Sequence, residues 1–486
     1  MRIGQTSITV FISRFFASAL GFLSTLYFAQ RLGAEIIGIF SLLMTTVSWL
    51  FLIGNMGITT AMKKRISEGE NQGEFLSAAI LWVGFSLVIL SIGVALFQPI
   101  FENYISEFDK YVDYPLIWFL IPILFIQTFI KIVNRILIGQ RMVHIRGLLD
   151  PVNTGAQSFF QVIFVLIGCG LLGMLIGWAL GGLLVGFIGL YWVRIRPAPP
   201  TIKNLKSLYD YAKFSWLSGL KARVFNQVDI LLLGVFVSSS LVGVYSVAWS
   251  IAKFIELFGN SISKTMFPEI SNISAQDPNE TAAGLVEDSL AYNGLIAIPG
   301  FVGGLILADR LMRLYGPEFT QGATVLALLI LATLVYSYLS QLLNTLNAMD
   351  RPDLAFRINI VFIALNAVLN VIFIWQYGTK GAAAATVLSA VAGLGIAYYA
   401  LKDVLDFRVP AREPVRQVGA AIVMGVFVWI SLRGIETTGF VKNNAIIVVG
   451  LVSSGATVYF FTLLTISPEF RATVNRNLPV NIPYLN

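Results

Sequence analysis

Long apolar stretches recur along the whole chain and are separated by short polar segments. About 20 consecutive apolar residues cross the hydrocarbon core of a bilayer as an α-helix. By this measure the sequence predicts fourteen membrane-spanning helices, over residues 8–29, 36–60, 76–98, 115–138, 151–169, 171–193, 214–236, 241–263, 289–308, 321–345, 356–375, 381–401, 417–433 and 443–465. The predicted fold is an all-α polytopic membrane protein.

The distribution of basic residues between the loops predicts the orientation of these helices. Of the Lys and Arg residues in the connections and at the ends of the predicted spans, 20 lie on one side of the membrane and 7 on the other. Cytoplasmic loops carry the excess of Lys and Arg in membrane proteins. An even number of spans places both termini on the same side, so we expect both termini to be cytoplasmic and the protein to lie in the cell membrane.

The first six predicted spans repeat as spans seven to twelve. Gly38 aligns with Gly243 and Ser41 with Ser246, at an offset of 205 residues. Six spans per copy preserve orientation, so an axis along the membrane normal relates the two copies, as in transporters whose halves move against each other. The predicted domains are an N-terminal six-helix lobe over 1–196, a cytoplasmic linker over 197–213, a C-terminal six-helix lobe over 214–403, and two extra helices with a cytoplasmic tail over 404–486.

Composition excludes several classes of function. The 486 residues are 57% hydrophobic and 12% charged, with one cysteine, Cys169, and one histidine, His144. No internal disulfide and no cysteine- or histidine-based metal site can therefore form, and no metal or other cofactor is expected. No phosphate-binding P-loop motif is present. The net charge of +7 resides in the loops rather than in a basic run with interleaved aromatics, so nucleic acid is not an expected partner.

Basic residues within the predicted spans are the candidate substrate-binding groups. A charged side chain in a membrane span is costly, so it either reaches the interface or has a function. Arg14 lies near the start of the first span, and both outcomes stay open for it. Lys221 and Arg223 lie at a similar depth in the seventh span, which is the repeat partner of the first. Because they are two residues apart, they cannot share one helix face.

Lys253 is placed near the middle of the eighth predicted span, with Glu256 three residues later. This spacing allows an internal ion pair between the two side chains, and it also allows Lys253 to face a polar cavity. We include both residues among the candidate substrate-binding groups.

Two stretches carry a family resemblance, "RLGAEIIGIFSLLMTTVSWLFLIGNMGITTAMKKRISE" and "LNAMDRPDLAFRINIVFIALNAVLNVIFIWQYGTKGAAAATVLSAVAG". In their order and spacing they resemble the polysaccharide-biosynthesis branch of the multidrug/oligosaccharidyl-lipid/polysaccharide exporter superfamily. The resemblance implies two six-helix lobes, basic residues on the first and eighth helices, and a flippase that moves a lipid-linked oligosaccharide to the outer leaflet. Membrane lipids and glycan-assembly enzymes are its implied partners.

A second set of residues is a candidate cation site. Asn366 and Asn370 lie on one face of the eleventh span, and Asp229 and Thr386 lie on the seventh and twelfth. Hard cations prefer such oxygen ligands, and the resemblance implies sodium near this place in some relatives. Hydrogen bonding between helices is the structural alternative. The expected coupling ion is therefore Na⁺ or H⁺.

Two other functions compete with a flippase. An ion-coupled multidrug or small-cation exporter of the same superfamily would favour carboxylates and aromatics over Lys and Arg in its cavity. A membrane-embedded polysaccharide polymerase or ligase usually needs a large loop with catalytic residues, and the predicted outer loops are short. We therefore predict a transporter rather than an enzyme.

Overall fold

The computed structural model describes residues 3–254 and 280–477, and gives the backbone alone for residues 3–15, 214, 217–219, 221–222, 280–282, 473 and 476–477. The helices are α1 (Ile3–Asn55), α2 (Ile58–Glu68), α3 (Gln72–Leu96), α4 (Gln98–Tyr104), α5 (Ile117–Gly139), α6 (Val143–Leu166), α7 (Gly170–Tyr191), α8 (Ile202–Phe236), α9 (239–254, where the described part ends), α10 (Glu280–Arg313), α11 (Ala323–Ala348), α12 (Pro352–Lys402), α13 (Arg412–Thr438), α14 (Asn444–Ile466) and α15 (Pro468–Asn477).

Nine of the described helices are long and apolar enough to span a membrane. Two of these, α1 and α12, each contain a break at a glycine. The total of fourteen predicted segments is reached by counting these two helices as two spans each and adding α6, α8 and α9, of which the structure describes α9 only over 239–254. The predicted all-α polytopic fold is confirmed.

Glycines replace loops at two of the connections between spans. Gly33 in α1 has φ 83° and ψ 175°, and Gly378 in α12 has φ 56° and ψ −133°. Residues with a Cβ rarely adopt positive φ, whereas glycine does so without strain. The chain therefore passes from one span to the next at each of these glycines without a separate loop.

The helix α8 begins earlier than the predicted span at residue 214. Thr201 caps its first turn, because the Asn204 backbone N–H donates to Thr201 Oγ1 at 3.3 Å and the Thr201 N–H donates to Asn204 Oδ1 at 2.8 Å. This reciprocal capping satisfies two backbone donors at the helix start. Most of the predicted linker over 197–213 is consequently the first part of α8.

The described chain forms two compact units, Met1–Ser246 and Val247–Asn486. In the first unit, α5, α6 and α7 enclose an apolar core that includes Val133, Leu149 and Val185. In the second unit, α10, α13 and α14 pack around a core that includes Met424 and Leu451. The predicted lobe boundaries at residues 196 and 214 stay predictions.

In the first unit, two glycines that the repeat aligns lie against each other. A Cβ on Gly38 would be 1.7 Å from the carbonyl oxygen of Ser239, and a Cβ on Gly243 would be 1.9 Å from that of Ala34. Both distances are far below any van der Waals contact, so only glycine allows the second half of α1 and α9 to approach this closely. Close crossings of this type are typical of small residues in membrane helices.

Candidate functional site

Basic side chains from three helices meet in the first unit. Lys131 of α5 lies within electrostatic range of Arg223 of α8, of Arg146 and Asp150 of α6, and of Arg135 one turn away on α5. Arg135 also interacts with Arg146. We call these residues, together with Lys63 of α2, the cationic cluster.

Helix periodicity places these groups together. Lys131 and Arg135 are four residues apart, so they lie on the same face of α5. The helix α6 is long enough to span a membrane but is not apolar enough to count among the nine clear spans. Its residues Arg146 and Asp150, together with Arg223 of the long helix α8, complete the cluster.

The positive charge of the cluster is only partly balanced by the described residues. Arg146 forms an ion pair with Asp150, and Arg223 donates from Nη1 to Gln227 Oε1 at 2.8 Å. Lys131 and Arg135 make no hydrogen bond or ion pair with the described part of the chain, and Lys131 is exposed although it lies within α5. A group of cations with one carboxylate could hold an anion through charge-assisted hydrogen bonds.

Lys63 extends the cluster at the end of α2, beyond the predicted second span. Burial of its amine, and then repulsion from Arg135, lowers the pKa of Lys63 below its ordinary value. A like charge nearby disfavours the charged form of an amine, and an anion bound between the two groups would reverse this effect. The lowered pKa of Lys63 therefore reflects burial of its amine first and the nearby positive charge of Arg135 second.

The predicted residue Arg14 lies in α1, where only its backbone is described. A Cβ on Gly21 would be 3.8 Å from Thr154 Cγ2 of α6, and a Cβ on Gly155 would be 3.7 Å from a methyl group of Leu20. Four spans separate the starts of α1 and α6, so both begin at the same membrane face. If the two helices keep this register, the backbone of Arg14 lies at about the level of Gly147. Its role in substrate binding stays a prediction.

The other predicted substrate-binding residues are distributed as follows. Arg223 belongs to the cationic cluster, whereas Lys221 is described by its backbone alone in α8. Lys253 belongs to α9 within the second unit, and its Nζ lies 5.3 Å from the ring centroid of Trp249, which is a cation–π contact. Glu256 lies outside the described residues, so the predicted Lys253–Glu256 ion pair stays a prediction.

The predicted cation-binding residues divide between the two units. Asp229 of α8 is 4% exposed and accepts a hydrogen bond from the Tyr245 hydroxyl of α9. Asn366, Asn370 and Thr386 are buried in α12 of the second unit. There Asn370 Nδ2 donates to Asn366 Oδ1 at 3.1 Å, and Thr386 donates to the Ala382 carbonyl at 3.1 Å. These bonds lie within α12, whereas the structural alternative is hydrogen bonding between helices, so both the alternative and the cation site stay predictions.

The candidate cation site makes a testable prediction. If Asp229 ligates sodium, Asp229→Ala should remove the sodium dependence of transport, because a carboxylate is the only charged oxygen ligand in the set. The measurement is transport in vesicles with and without a sodium gradient. Asp210→Ala is the matched control, since Asp210 is an exposed aspartate paired with Lys213 on the same helix. If transport is unchanged both when the sodium gradient is removed and in Asp229→Ala, these four residues have a structural role only.

The sequence analysis omitted Lys131 and Arg135 from the site. Both lie near the end of the fourth predicted span, where long basic side chains usually extend to the membrane interface. Their i, i+4 spacing was visible in the sequence, but their proximity to Arg223, Arg146 and Asp150 depends on how α5 packs against α6 and α8. The presence of polar residues in the fifth and seventh spans was the available signal.

Family profiles and solved structures both show similarity of this chain to polysaccharide-biosynthesis and MATE proteins. The sequence profile described as "Polysaccharide biosynthesis protein" matches residues 3–274, and the MatE profile matches residues 219–372. Similar folds include a structure titled "Lipid II flippase MurJ, inward closed conformation", with a TM-score of 0.77, 18% identity, and coverage of 94% of this chain and 98% of the other. An inward-facing multidrug resistance MATE transporter aligns with a TM-score of 0.63 at 14% identity, over 80% of this chain and 95% of its own.

Two proteins of the archaeon Haloferax volcanii are similar over nearly their full lengths. The chain is 31% identical to the "Probable flippase AglR", over 94% of this chain and 95% of that protein. It is 30% identical to the "Probable low-salt glycan biosynthesis flippase Agl15", over 99% of this chain and 100% of that protein. The chain therefore belongs to the polysaccharide-biosynthesis branch of the multidrug/oligosaccharidyl-lipid/polysaccharide exporter superfamily.

Proposed function

We propose that this protein is a flippase that moves a lipid-linked oligosaccharide from the cytoplasmic to the outer leaflet by alternating access. The lipid would be a polyprenyl or dolichyl chain joined to the sugar by a phosphate or diphosphate. The observation that carries the proposal is the cationic cluster, in which Lys131 and Arg135 have no ion-pair partner among the described residues.

The chemistry of the cluster suits a phosphate or diphosphate. Arg presents a planar fork of donors that matches phosphate oxygens, and Lys supplies a compact charge. Bonds between charged groups are roughly twice as strong as neutral ones, and water is scarce within a membrane protein. The cluster includes both residue types on separate helices, so it could hold an anion from several sides.

The relatives and the charge distribution support the direction of transport. AglR and Agl15 are both named as flippases, and Agl15 is also named for glycan biosynthesis. The bias of Lys and Arg supports cytoplasmic termini in the cell membrane, and it places the cationic cluster at the cytoplasmic end of its helices. Glycan-assembly enzymes on that side would supply the substrate.

An exporter of drugs or small cations is the competing function within the same superfamily. A cationic substrate would be repelled by Lys131, Arg135 and Arg223, since like charges in a low-dielectric site repel strongly. The cluster therefore favours an anionic substrate over a cationic drug.

Deletion of the gene tests the proposed function. We expect the lipid-linked oligosaccharide to accumulate on the cytoplasmic leaflet, because the enzymes that assemble it remain active while its exit is lost. The measurement is the amount of lipid-linked glycan in each leaflet, by enzymatic or chemical labelling of intact cells and inverted vesicles. Normal delivery to the outer leaflet in a strain without paralogues would rule out the proposal.

A further inference from the structure

One side of α6 carries polar residues along most of its length. They recur every three or four residues, which places them on one helix face. The exposed apolar residues Val152, Phe159 and Ile163 each lie two positions after one of them, which is more than half a turn around the helix. The polar residues are therefore directed into the first unit, away from the outer apolar side. We call them the α6 polar face: Arg146, Asp150, Asn153, Gln157 and Gln161.

The charge of the α6 polar face changes along the helix. Arg146 and Asp150, near its start, form an ion pair and belong to the cationic cluster. The next two polar positions are the neutral amides Asn153 and Gln157. At a rise of about 1.5 Å per residue, they lie about 4.5 and 10.5 Å beyond Asp150 along the helix axis. The α6 polar face therefore joins a charged region to a neutral one that can form hydrogen bonds.

The two neutral amides have unused hydrogen-bonding capacity. Asn153 Oδ1 is buried and has no partner among the described atoms. The Gln157 amide forms no hydrogen bond within the described part of the chain. Gln161 is different, because its Nε2 donates to the Met174 carbonyl of α7 at 2.9 Å. A buried amide oxygen without a donor is costly to the fold, and a ligand that donates to Asn153 would remove this cost.

A glycine of α7 places the Gln157 amide beside the cationic cluster. A Cβ on Gly182 would be 3.3 Å from Gln157 Nε2 and 2.7 Å from the Cδ1 methyl group of Ile130. Ile130 directly precedes Lys131 on α5, so the Gln157 amide lies at about the level of Lys131. The neutral amides and the cations therefore share one region of the first unit.

The order of groups in this region matches the chemistry of a sugar phosphate. A phosphate oxygen only accepts hydrogen bonds, so Lys and Arg suffice to hold it. A sugar hydroxyl both donates and accepts, and an amide side chain offers a donor and an acceptor in return. In a lipid-linked saccharide the first sugar is attached directly to the phosphate. Cations followed by amides within about 10 Å along one helix face suit these two neighbouring groups.

We propose that Asn153 and Gln157 form a saccharide subsite, which contacts the first sugar of the lipid-linked substrate while the cationic cluster holds its phosphate. The inference rests on the proposed function and adds to it the residues that recognise the sugar. Gln161 belongs to the same helix face but attaches α6 to α7 instead.

Binding of two synthetic lipids to the purified full-length protein tests the subsite. One is geranylgeranyl diphosphate joined to glucose, and the other is the same diphosphate joined to a methyl group, which has equal charge but no sugar hydroxyls. The wild-type protein should bind the glucose lipid more tightly. Asn153→Ala and Gln157→Ala should each weaken binding of the glucose lipid by roughly three- to tenfold and leave the methyl lipid unchanged. An equal loss for both lipids would overturn the subsite.

Two further variants serve as controls. Gln161→Ala removes an amide of the same helix face, so it should lower the melting temperature without changing the ratio of the two affinities. Lys131→Gln should weaken both lipids equally, because it acts on the phosphate. A wild-type protein that binds neither lipid would contradict the proposed function itself, whereas equal affinity for the two lipids would overturn the saccharide subsite alone.

Thermal stability distinguishes a binding role of Asn153 from a structural one. Asn153→Leu keeps a side chain of similar size and removes the amide oxygen that has no partner. The melting temperature without ligand should therefore stay unchanged or increase, while the preference for the glucose lipid decreases. A clear decrease in the melting temperature would show that the Asn153 amide supports the fold, and would contradict its assignment to the subsite.

Discussion

Lys131→Glu should abolish delivery of the lipid-linked oligosaccharide to the outer leaflet, whereas Lys131→Arg should retain most of it. Lys131 lies among Arg223, Arg146 and Arg135, so it contributes to one anion site. Removal of a single charge-assisted contact costs roughly 1.5 to 3 kcal/mol, which corresponds to about a ten- to hundredfold loss of affinity. Reversal of the charge adds repulsion of the phosphate and should leave no measurable function.

Each Lys131 variant is expressed in the deletion strain at the same abundance in the membrane as the wild-type protein. The measurement is the amount of lipid-linked oligosaccharide that reaches the outer leaflet. Lys206→Glu is the control for a change of net charge alone, because Lys206 is an exposed lysine in the first part of α8. Lys131→Gln should fall between the Arg and Glu variants. Full rescue by Lys131→Glu would show that the cationic cluster does not hold the substrate.

Gly38→Ala should prevent the first unit from folding normally. The added Cβ would be 1.7 Å from the Ser239 carbonyl oxygen and 2.9 Å from the Gly243 backbone nitrogen. Extra atoms in a packed interior usually cost about 1 to 3 kcal/mol, and a clash with backbone on both sides leaves no flexible side chain to move. We expect a large decrease in the melting temperature and in the amount of protein that reaches the membrane.

The repeat supplies a second variant with the same expectation, and α3 supplies the control. Gly243→Ala should behave like Gly38→Ala, because its Cβ would be 1.9 Å from the Ala34 carbonyl oxygen. Gly84 also lies within a membrane helix, but a Cβ there would meet nothing within 4 Å. Gly84→Ala should thus leave the melting temperature unchanged or raise it slightly. Similar melting temperatures for all three variants would show that the helices can separate without cost.

The sequence predicted the all-α polytopic fold and its apolar segments well, because hydropathy depends on local composition. The alignment of Gly38 with Gly243 even identified two residues that lie in contact. The boundaries were less accurate where local chemistry outweighed hydropathy. Capping by Thr201 starts α8 within the predicted linker, and the positive φ of Gly378 joins two predicted spans in one helix.

The candidate site could be predicted only in part. Arg223 was recognised because a basic residue within a span is conspicuous, but Lys131 was omitted because it lies near the end of its predicted span, where basic side chains usually extend to the interface. The partners of Lys131 come from α6 and α8, which are distant in sequence, and a single chain read in order does not show which helices pack together.

The attachment of α13 and α14 to α10 has a mechanical consequence. Before Pro299, α10 is held by the bond from Gln417 to the Ala291 carbonyl. After Pro299, Arg310 binds Glu436 of α13 at 2.8 Å, and its carbonyl accepts from Asn444 Nδ2 of α14 at 2.9 Å. A helix that is fastened on both sides of its proline cannot change its bend there without breaking these bonds. Spin labels placed on α10 and α13 should therefore keep a constant separation while the rest of the transporter changes conformation, and this helix pair could serve as the fixed reference frame for distance measurements.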